Sequence, residues 1–375
     1  MRIGVPREVK DGERRVSVVP DGVRALVGDG HDVVVERDAG RAAGFDDAEY
    51  ARAGAVVGAH ASDVWNAPLV VKVKEIQPAE YARLVRGTTI FGFAQLARDR
   101  ELLEAVLASG VRIVACETVR DAAGALPLVA PMSRIAGRLA PFAGAQALGT
   151  DRGGSGVLLP GVDDVPGARV VVLGAGQAGG AAAGVAARLG CRVTVISRGA
   201  AQLTALAAKL DAEGAPVEAR TFDDLGDAAF AAAIASADLV IGAVLVPGKL
   251  SPKLVTRTHL RAMRAGSALV DVGIDQGGIA ETSRMTKLSA PTYVDEGVVH
   301  YCVPNMPALV ARTATEAFAA SILPYVRRLA GRGATTALTE DAGLAEGAMV
   351  WEGSITHAGL AADTGNRATR APWRA

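Results

Sequence analysis

The 375-residue sequence is poor in aromatic side chains and carries no excess charge. Its 40 basic residues balance 40 acidic ones, whereas proteins that bind nucleic acids usually carry a basic excess. Aromatic residues make up only 4% of the chain, too few to suggest a surface that stacks nucleotide bases. We therefore expect no nucleic-acid partner.

Cysteines and long apolar runs are also scarce. The three cysteines, Cys116, Cys191 and Cys302, match no zinc-binding spacing, and an odd, sparse number is typical of a reducing compartment. The N-terminal segment lacks the apolar core of a signal peptide. The longest apolar stretch, residues 230–247, contains two polar breaks and predicts a helix end followed by a buried strand. We expect a soluble, cytoplasmic protein without a membrane partner or a bound metal.

Short apolar runs alternate with helical patterns throughout the chain, half of whose residues are hydrophobic. The length suggests two domains of roughly 100–200 residues each. Apolar strands joined by helices predict parallel sheets with helices on both faces, an α/β fold of the doubly wound kind. The predicted strands are residues 2–5, 32–36, 69–73, 88–93, 112–115, 169–173, 191–196, 237–244 and 267–272.

Several segments carry helical periodicity. Residues 22–28 predict a short helix, and the segment from Asn305 to about residue 329 predicts a longer one. Asp99 can cap a helix, one face of which is formed by Leu102, Leu103, Val106 and Leu107. A further helix is predicted from Pro131 to about residue 148, with an apolar repeat formed by Ile135, Leu139 and Phe142.

A glycine-rich loop directly follows the strand of residues 169–173. It reads Gly174-Ala175-Gly176-Gln177-Ala178-Gly179. This is the G-x-G-x-x-G pattern, in which the first glycine permits a tight turn, the second lets a diphosphate approach the backbone and the third allows close helix packing. The following helix offers free N–H groups and a positive dipole end to the phosphates. The pattern predicts a dinucleotide site, the alternative being a glycine-rich turn in an ordinary α/β domain.

The end of the next strand bears on the choice of dinucleotide. An acidic residue there would bind the ribose 2′-hydroxyl of NAD(H), but Ile196 is followed by Ser197 and Arg198. A serine and an arginine can accept a 2′-phosphate, so the sequence favours NADP(H), while NAD(H) stays possible. Alternatively, Arg198 stacks on the adenine or lies in solvent.

The chain resembles the alanine dehydrogenase family, which includes the cofactor-binding subunit of proton-pumping transhydrogenase. The resemblance rests on MRIGVPREVKDGERRVSVVP, VVKVKE, ETV, LPLVAPMSRIAGRLA, VVVLGAGQAG, DLVIGAVLVPG, VDVGIDQGG and VVHYCVPNMPA, in this order. It implies two Rossmann-like domains with the substrate in the cleft between them. Residues 1–128 with 306–375 would form the substrate domain, and residues 129–305 the dinucleotide-binding domain. It also implies a homo-oligomer, a hexamer or a dimer.

The resemblance implies two cationic residues that bind the substrate. The arginine that grips the substrate carboxylate in the family matches Arg15, whose planar fork suits a carboxylate. The lysine that contacts the substrate oxygens matches Lys74. Without the resemblance, these residues would read as a surface arginine and a lysine at a strand end.

The acid–base histidine of the family is absent from this sequence. In the segment that reads F-x-x-H-L in the family, Gln95 takes the place of the histidine. Glutamine donates and accepts hydrogen bonds but does not titrate, so it cannot act as a general acid or base. Asp275, which matches a site aspartate of the family, could handle protons instead, although a turn-capping role is the alternative.

The remaining matches imply contacts with the cofactor. The residue after Ser133 is often acidic in the family, whereas here it is Arg134. Residues 244–248 match a loop beside the nicotinamide ribose. The residues that the resemblance places near the cofactor are Ser133, Val244, Asp275, Asn305 and Met306, with Asn305 and Asp275 also facing the substrate.

Three functions are consistent with these features. A preformed imine is already electrophilic and needs little acid–base help, so Gln95 favours an NADP(H)-dependent reductase of a carboxylate-bearing C=N substrate. An authentic L-alanine dehydrogenase is the first alternative. A catalytically inactive dinucleotide-binding protein is the second, although the presence of Arg15 and Lys74 counts against it.

Overall fold

A computed structural model describes residues 1–244 and 250–373. The chain forms two compact units, one of Met1–Met132 with Ala308–Ala375 and the other of Ser133–Pro307. Each unit is built around its own β-sheet.

The first unit alternates strands and helices and adds two strands near the C-terminus. Its strands are β1 (Arg2–Val5), β2 (Asp32–Glu36), β3 (Val56–Gly58), β4 (Leu69–Val71), β5 (Thr89–Gly92), β6 (Arg112–Ala115), β14 (Ala348–Trp351) and β15 (Ser354–Ile355). Its helices are α1 (Pro20–Gly28), α2 (Asp47–Arg52), α3 (Ala61–Trp65), α4 (Arg100–Ser109), α10 (Ala311–Arg332), α11 (Ala334–Glu340), α12 (Ala342–Ala345) and α13 (Ala358–Asp363).

The second unit repeats this alternation. Its strands are β7 (Arg169–Leu173), β8 (Arg192–Ser197), β9 (Glu218–Thr221), β10 (Leu239–Gly242), β11 (Ala268–Asp271), β12 (Thr292–Asp295) and β13 (Val298–Tyr301). Its helices are α5 (Ala130–Ala147), which begins in the first unit, α6 (Gln177–Arg188), α7 (Ala200–Ala212), α8 (Phe222–Ser236) and α9 (Arg257–Ala262).

The two sheets share one topology. The first has the order β15-β14-β6-β5-β4-β1-β2-β3, and the second has the order β12-β13-β11-β10-β7-β8-β9. In each, six parallel strands follow the order 3-2-1-4-5-6 of a Rossmann-type sheet, and antiparallel strands extend one edge. This topology confirms the predicted α/β class with two Rossmann-like units.

Both faces of the second sheet are covered by helices. Val170 and Val172 of β7 pack in one apolar cluster with α5, α6 and α7, while Val171 and Leu173 pack in another with α8 and α9. Alternate residues of a strand point to opposite faces, so a strand buried on both sides must be apolar throughout. This requirement explains the uninterrupted run RVVVL.

The buried face of α5 differs from the predicted one. Phe142 is 51% exposed, and Ile135 and Leu139 are only half-buried. An alanine row faces the core instead: Ala136, Ala140, Ala143 and Ala147. Small side chains let the helix lie close to the sheet, so the large residues that dominate the periodicity are displaced toward its flanks.

The nine predicted strands are correct in position. Four of them, 2–5, 32–36, 112–115 and 169–173, have the observed bounds, one (191–196) is shifted by one residue, and the other four are longer than those observed. The predicted stretch 237–244 contains β10, and 69–73 contains β4. Residues 230–242 form the end of α8 and the buried strand β10, as predicted, and residues 245–249 lie outside the described range. Among the described residues, no helix has the length and apolar character needed to cross a membrane.

The start of α4 confirms a prediction made from the sequence. Asp99 is the N-cap, and its carboxylate accepts a hydrogen bond from the Leu102 N–H at 3.0 Å. Leu102, Leu103 and Val106 are buried on the predicted face.

We expect Asp99→Ala to lower the free energy of unfolding by about 1 kcal/mol because one N–H of the first turn loses its acceptor. Urea denaturation followed by circular dichroism measures the change. Asp99→Asn keeps a capping oxygen and serves as the control. Equal destabilisation by both variants would show that the cap is not the cause.

Candidate functional site

In both units, the sequence-predicted residues other than Ser133 of α5 lie at or after the carboxyl ends of parallel strands. In open α/β sheets, ligands bind at this edge, where the strand order reverses. The reversal lies between β1 and β4 in the first sheet and between β7 and β10 in the second. The glycine-rich loop follows β7, and Lys74 follows β4.

The glycine-rich loop has the close backbone contacts that its pattern predicts. Gly174 has a φ of 109°, and a Cβ atom there would lie 2.6 Å from the Ala243 carbonyl oxygen. A Cβ atom at Gly179 would lie 1.8 Å from the Gly174 carbonyl oxygen, so side chains at these two positions would force the loop apart. A Cβ atom at Gly176 would meet no atom of the described residues within 4 Å, so among them this position is open to a ligand.

The start of α6 offers donors to an anion. Gly176 is its N-cap and supplies no side-chain cap, and the first bond of the helix runs from the Gly180 N–H to the Gly176 carbonyl. The N–H groups of the first turn therefore point out of the helix beside the open space at Gly176. These features fit the diphosphate of a dinucleotide, which Gly176, Gln177 and Ala178 would hold through their backbone.

The end of β8 lies beside this loop, because β7 and β8 pair in parallel with Leu173 opposite Ile196. Ser197 is half-buried and Arg198 is exposed. Gly199 caps α7 without a side-chain hydrogen bond. The Ser197 hydroxyl, the Arg198 guanidinium and the start of α7 thus follow one another. They stand where an acidic residue, if present, would repel the 2′-phosphate of NADP(H).

Asp275 lies in an exposed turn whose backbone is held by the exposed Lys253 and the buried Asp271. Lys253 donates to the carbonyl oxygens of Gly277, Gly278 and Ala280 at 2.5 to 3.0 Å. Asp271 accepts from the Ile279 N–H at 2.7 Å, and burial raises the pKa of this carboxyl despite its hydrogen bonds. The turn presents Asp275 at the carboxyl edge of the second sheet, after β11.

Four other predicted residues belong to the second unit. Asn305 is half-buried and adopts φ of 56°, and Met306 beside it is 3% exposed. Ser133 is half-buried on α5, and the Val244 carbonyl accepts a hydrogen bond from the Ser251 hydroxyl at 3.3 Å. The remainder of the predicted ribose loop, residues 245–248, lies outside the described residues.

In the first unit, Arg15 is buried and held by an acid. Its side chain is 2% exposed, and Nε and Nη2 donate to Glu13 Oε1 and Oε2 at 2.7 and 2.5 Å. Nη1 donates to the Met132 sulfur at 3.1 Å. The Ser17 hydroxyl donates to the Val71 carbonyl at 2.6 Å and attaches this segment to the end of β4. Burial and a bidentate partner fix the plane of the guanidinium, as oriented binding of a carboxylate requires.

Lys74 is half-buried and stands two residues after Lys72, which belongs to a buried network of charges with Glu8 and Glu80. Lys72 lies 2.7 Å from Glu80 and 3.3 Å from Glu8, and the two carboxylates raise the pKa of Lys72 although burial opposes this. Glu8 also accepts the N–H groups of Val73 and Lys74 at 2.7 and 3.3 Å. The network therefore fixes the backbone from which the Lys74 side chain extends.

Gln95 adopts a left-handed conformation with φ of 49° at the end of β5. Glu117, which follows β6, accepts the Gln95 N–H at 2.7 Å and the Ala94 N–H at 3.1 Å. Burial raises the pKa of Glu117, although these N–H groups and the charge of Lys74 act in the opposite direction. Gln95, Glu117 and Lys74 thus form one group at the carboxyl edge of the first sheet.

Sequence reasoning missed the acidic partners of these residues. Glu13 stands two residues before Arg15, and Glu117 is the first residue of the conspicuous segment ETV. The closeness of Glu13 to Arg15 is visible in the sequence. The contact of Glu117 is not, because 22 residues separate Glu117 from Gln95, whose backbone N–H it binds. Among the described residues, no cluster of three or more His, Cys, Asp or Glu side chains is arranged to hold a metal ion.

Family models match almost the whole chain. The N-terminal domain of "alanine dehydrogenase/PNT" matches residues 4–136, and the C-terminal domain of the same description matches residues 140–358. The chain belongs to the alanine dehydrogenase family. As a member, it is a nicotinamide-dinucleotide-dependent oxidoreductase that acts on CH–NH groups.

Individual relatives align with almost the full length of the chain. An alanine dehydrogenase of Halomonas elongata is 47% identical over 362 residues, which are 96% of each chain, and one of Mycolicibacterium smegmatis is 43% identical over 97% and 96% of the two chains. The structure of an L-alanine dehydrogenase superposes with a TM-score of 0.91 at 44% identity, covering 97% of this chain and 99% of the other. A transhydrogenase of Sinorhizobium meliloti gives a TM-score of 0.80 at 26% identity, covering 96% and 99%.

The raised pKa of Glu117 makes a prediction about stability. Below the ordinary glutamate pKa of 4.5, Glu117 is protonated in the folded and unfolded states alike. Above its raised pKa, the folded protein must hold a charge that burial disfavours. We therefore expect Glu117→Gln to gain stability relative to the wild type as the pH rises from 4.5 through that pKa.

Urea denaturation of both proteins between pH 4 and pH 8 measures this difference. Glu101→Gln, an exposed position on α4, is the control and should stay within about 0.5 kcal/mol of the wild type. A relative stability of Glu117→Gln that falls with rising pH would contradict the prediction.

Proposed function

We propose that this chain interconverts a small L-amino acid of the alanine type and the corresponding 2-oxo acid, with NADP(H) as its preferred cofactor. In the direction of oxidation, alanine, NADP⁺ and water would give pyruvate, ammonium, NADPH and a proton. The observation that carries the proposal is the buried Arg15, held in one orientation by Glu13, in a chain that also retains Lys74 and aligns over almost its full length with alanine dehydrogenases.

The first unit supports a substrate with a carboxylate. Arg15 is fixed by Glu13, and Lys74 extends from a backbone fixed by Glu8. Two cations fixed in this way bind and orient an anionic group with little loss of side-chain entropy. When bound, the nicotinamide would supply or accept the hydride, and the residues of this chain would orient the substrate and handle its protons.

The sequence alone ranked reduction of a preformed imine first, and one observation still favours it as the second candidate. Gln95 cannot titrate, and the group beside it that can is Glu117, whose carboxylate binds backbone N–H groups. Forming the imine from a ketone and ammonia needs proton transfers that reducing a preformed imine does not. The relatives at 43–47% identity are alanine dehydrogenases, so we rank the oxidation of alanine above the reduction of a preformed imine.

The preference for NADP(H) is supported by the residues at the carboxyl end of β8. Ser197 and Arg198 can donate to a 2′-phosphate, and the exposed guanidinium complements its charge. No acid stands at the end of β8 to repel this phosphate, since the strand ends at Ser197 and is followed by Arg198 and Gly199.

We expect the purified protein to oxidise L-alanine with NADP⁺. Gln95→His should raise kcat by at least about tenfold, because it places a titratable side chain beside Lys74 and Glu117 at the carboxyl edge of the first sheet. Absorbance at 340 nm measures both rates. Gln146→His, at an exposed position of α5, is the matched control and should leave the rate unchanged.

The outcomes separate the candidate functions. Turnover of a cyclic imino acid without alanine oxidation would favour the second candidate. Dinucleotide binding without turnover of any amino, oxo or imino acid would leave the inactive binding protein as the remaining function.

We expect Arg198→Ala to raise the Kd for NADPH about tenfold and to leave the Kd for NADH nearly unchanged, because only NADPH carries the 2′-phosphate. Nicotinamide fluorescence titration measures both constants. Arg192→Ala removes an exposed arginine from the opposite end of β8 and is the control. Equal losses for the two dinucleotides would contradict this role of Arg198.

A further inference from the structure

Helix α5 contacts the glycine-rich loop directly. A Cβ atom at Gly137 would lie 2.0 Å from the carbonyl oxygen of Ala178, so the helix backbone and the loop touch. Three residues earlier, Arg134 Nη1 donates to Gln177 Oε1 at 2.9 Å. Because Gln177 is the first residue of α6, this hydrogen bond holds the guanidinium at the start of that helix.

The position is electrostatically unusual. A helix start carries a positive partial charge, so a cation is disfavoured there unless an anion is near. Arg188, near the other end of α6, follows the ordinary arrangement: it donates to the Gly184 carbonyl at 3.0 Å and pairs with Glu213. Arg134 is exposed, and among the described residues its side chain bonds only to the neutral amide of Gln177.

We infer that the guanidinium of Arg134 binds the diphosphate of the dinucleotide, as a side-chain contact that complements the backbone of the glycine-rich loop. Guanidinium has five N–H donors in a fixed plane, and Gln177 accepts one of them. The others can donate to phosphate oxygens in charge-assisted hydrogen bonds. A diphosphate would supply the anion that the cation and the helix start lack.

This inference rests on the dinucleotide binding proposed above and adds a residue to it. The diphosphate is common to NADH and NADPH, so Arg134 should contribute equally to both. Arg198, in contrast, should contribute to NADPH alone. Comparing the affinities for NADH and NADPH therefore distinguishes the role of Arg134 from that of Arg198.

The test is a fluorescence titration of the full-length protein with NADPH and with NADH at one fixed ionic strength. We expect Arg134→Ala to raise both Kd values about tenfold and Arg134→Lys to recover part of the loss. Gln177→Ala, which releases the guanidinium, should give an intermediate loss. Arg138→Ala removes an exposed arginine one turn further along α5 and should match the wild type.

A second ligand tests the diphosphate itself. ADP-ribose has the diphosphate but no nicotinamide, and calorimetry should show the same loss of affinity for it in Arg134→Ala. Unchanged Kd values in Arg134→Ala would overturn the inference, and so would a loss confined to NADPH. A wild-type protein that binds neither dinucleotide would overturn the proposed function itself, which is a distinguishable result.

Discussion

Direct contact between backbones around the glycine-rich loop is the constraint on which the second unit depends. The Gly174 carbonyl lies where a side chain of Gly179 would be, and the Ala178 carbonyl lies where a side chain of Gly137 would be. Both α6 and α5 therefore approach the loop more closely than any larger residue permits. The same contact directs the N–H groups of the first turn of α6 toward the open space at Gly176. Close packing and anion binding thus have one cause.

The first unit achieves its geometry by a different means, the burial of paired charges. Arg15 pairs with Glu13, and Lys72 pairs with Glu8 and Glu80, all away from water. Removing charges from water costs free energy, and hydrophobic residues of similar volume in place of a buried ion pair often stabilise a fold to the same extent or more. These pairs are better explained by the side chains and backbone that they orient than by a gain in stability. Glu13 fixes the plane of the Arg15 guanidinium, and Glu8 fixes the backbone of Lys74.

How far the sequence predicts the molecule depends on how local each interaction is. The G-x-G-x-x-G pattern and the Asp99 cap are each contained in one short segment, so both were predictable from the sequence, whereas the contact of Gly174 with the Ala243 backbone is visible only in the structure. The buried face of α5 was predicted wrongly because its packing depends on the distance to the sheet, which favours alanine over Phe142. Glu117 binds an amide on a neighbouring strand end, and only the strand order brings the two together. Short strands such as β9, with the half-polar sequence EART, also carry too weak a pattern.

The contacts of Gln95 show that the backbone at this position is held independently of its side chain. Glu117 binds the backbone N–H of residue 95 and not its side chain, so the left-handed turn does not depend on which side chain stands there. A titratable and a non-titratable residue can therefore occupy the same place without disturbing Lys74 or the strand ends. The backbone geometry around residue 95 is thus compatible with both of the reactions proposed above. Under that proposal, the side chain at position 95 would separate the two reactions by whether it can carry a proton.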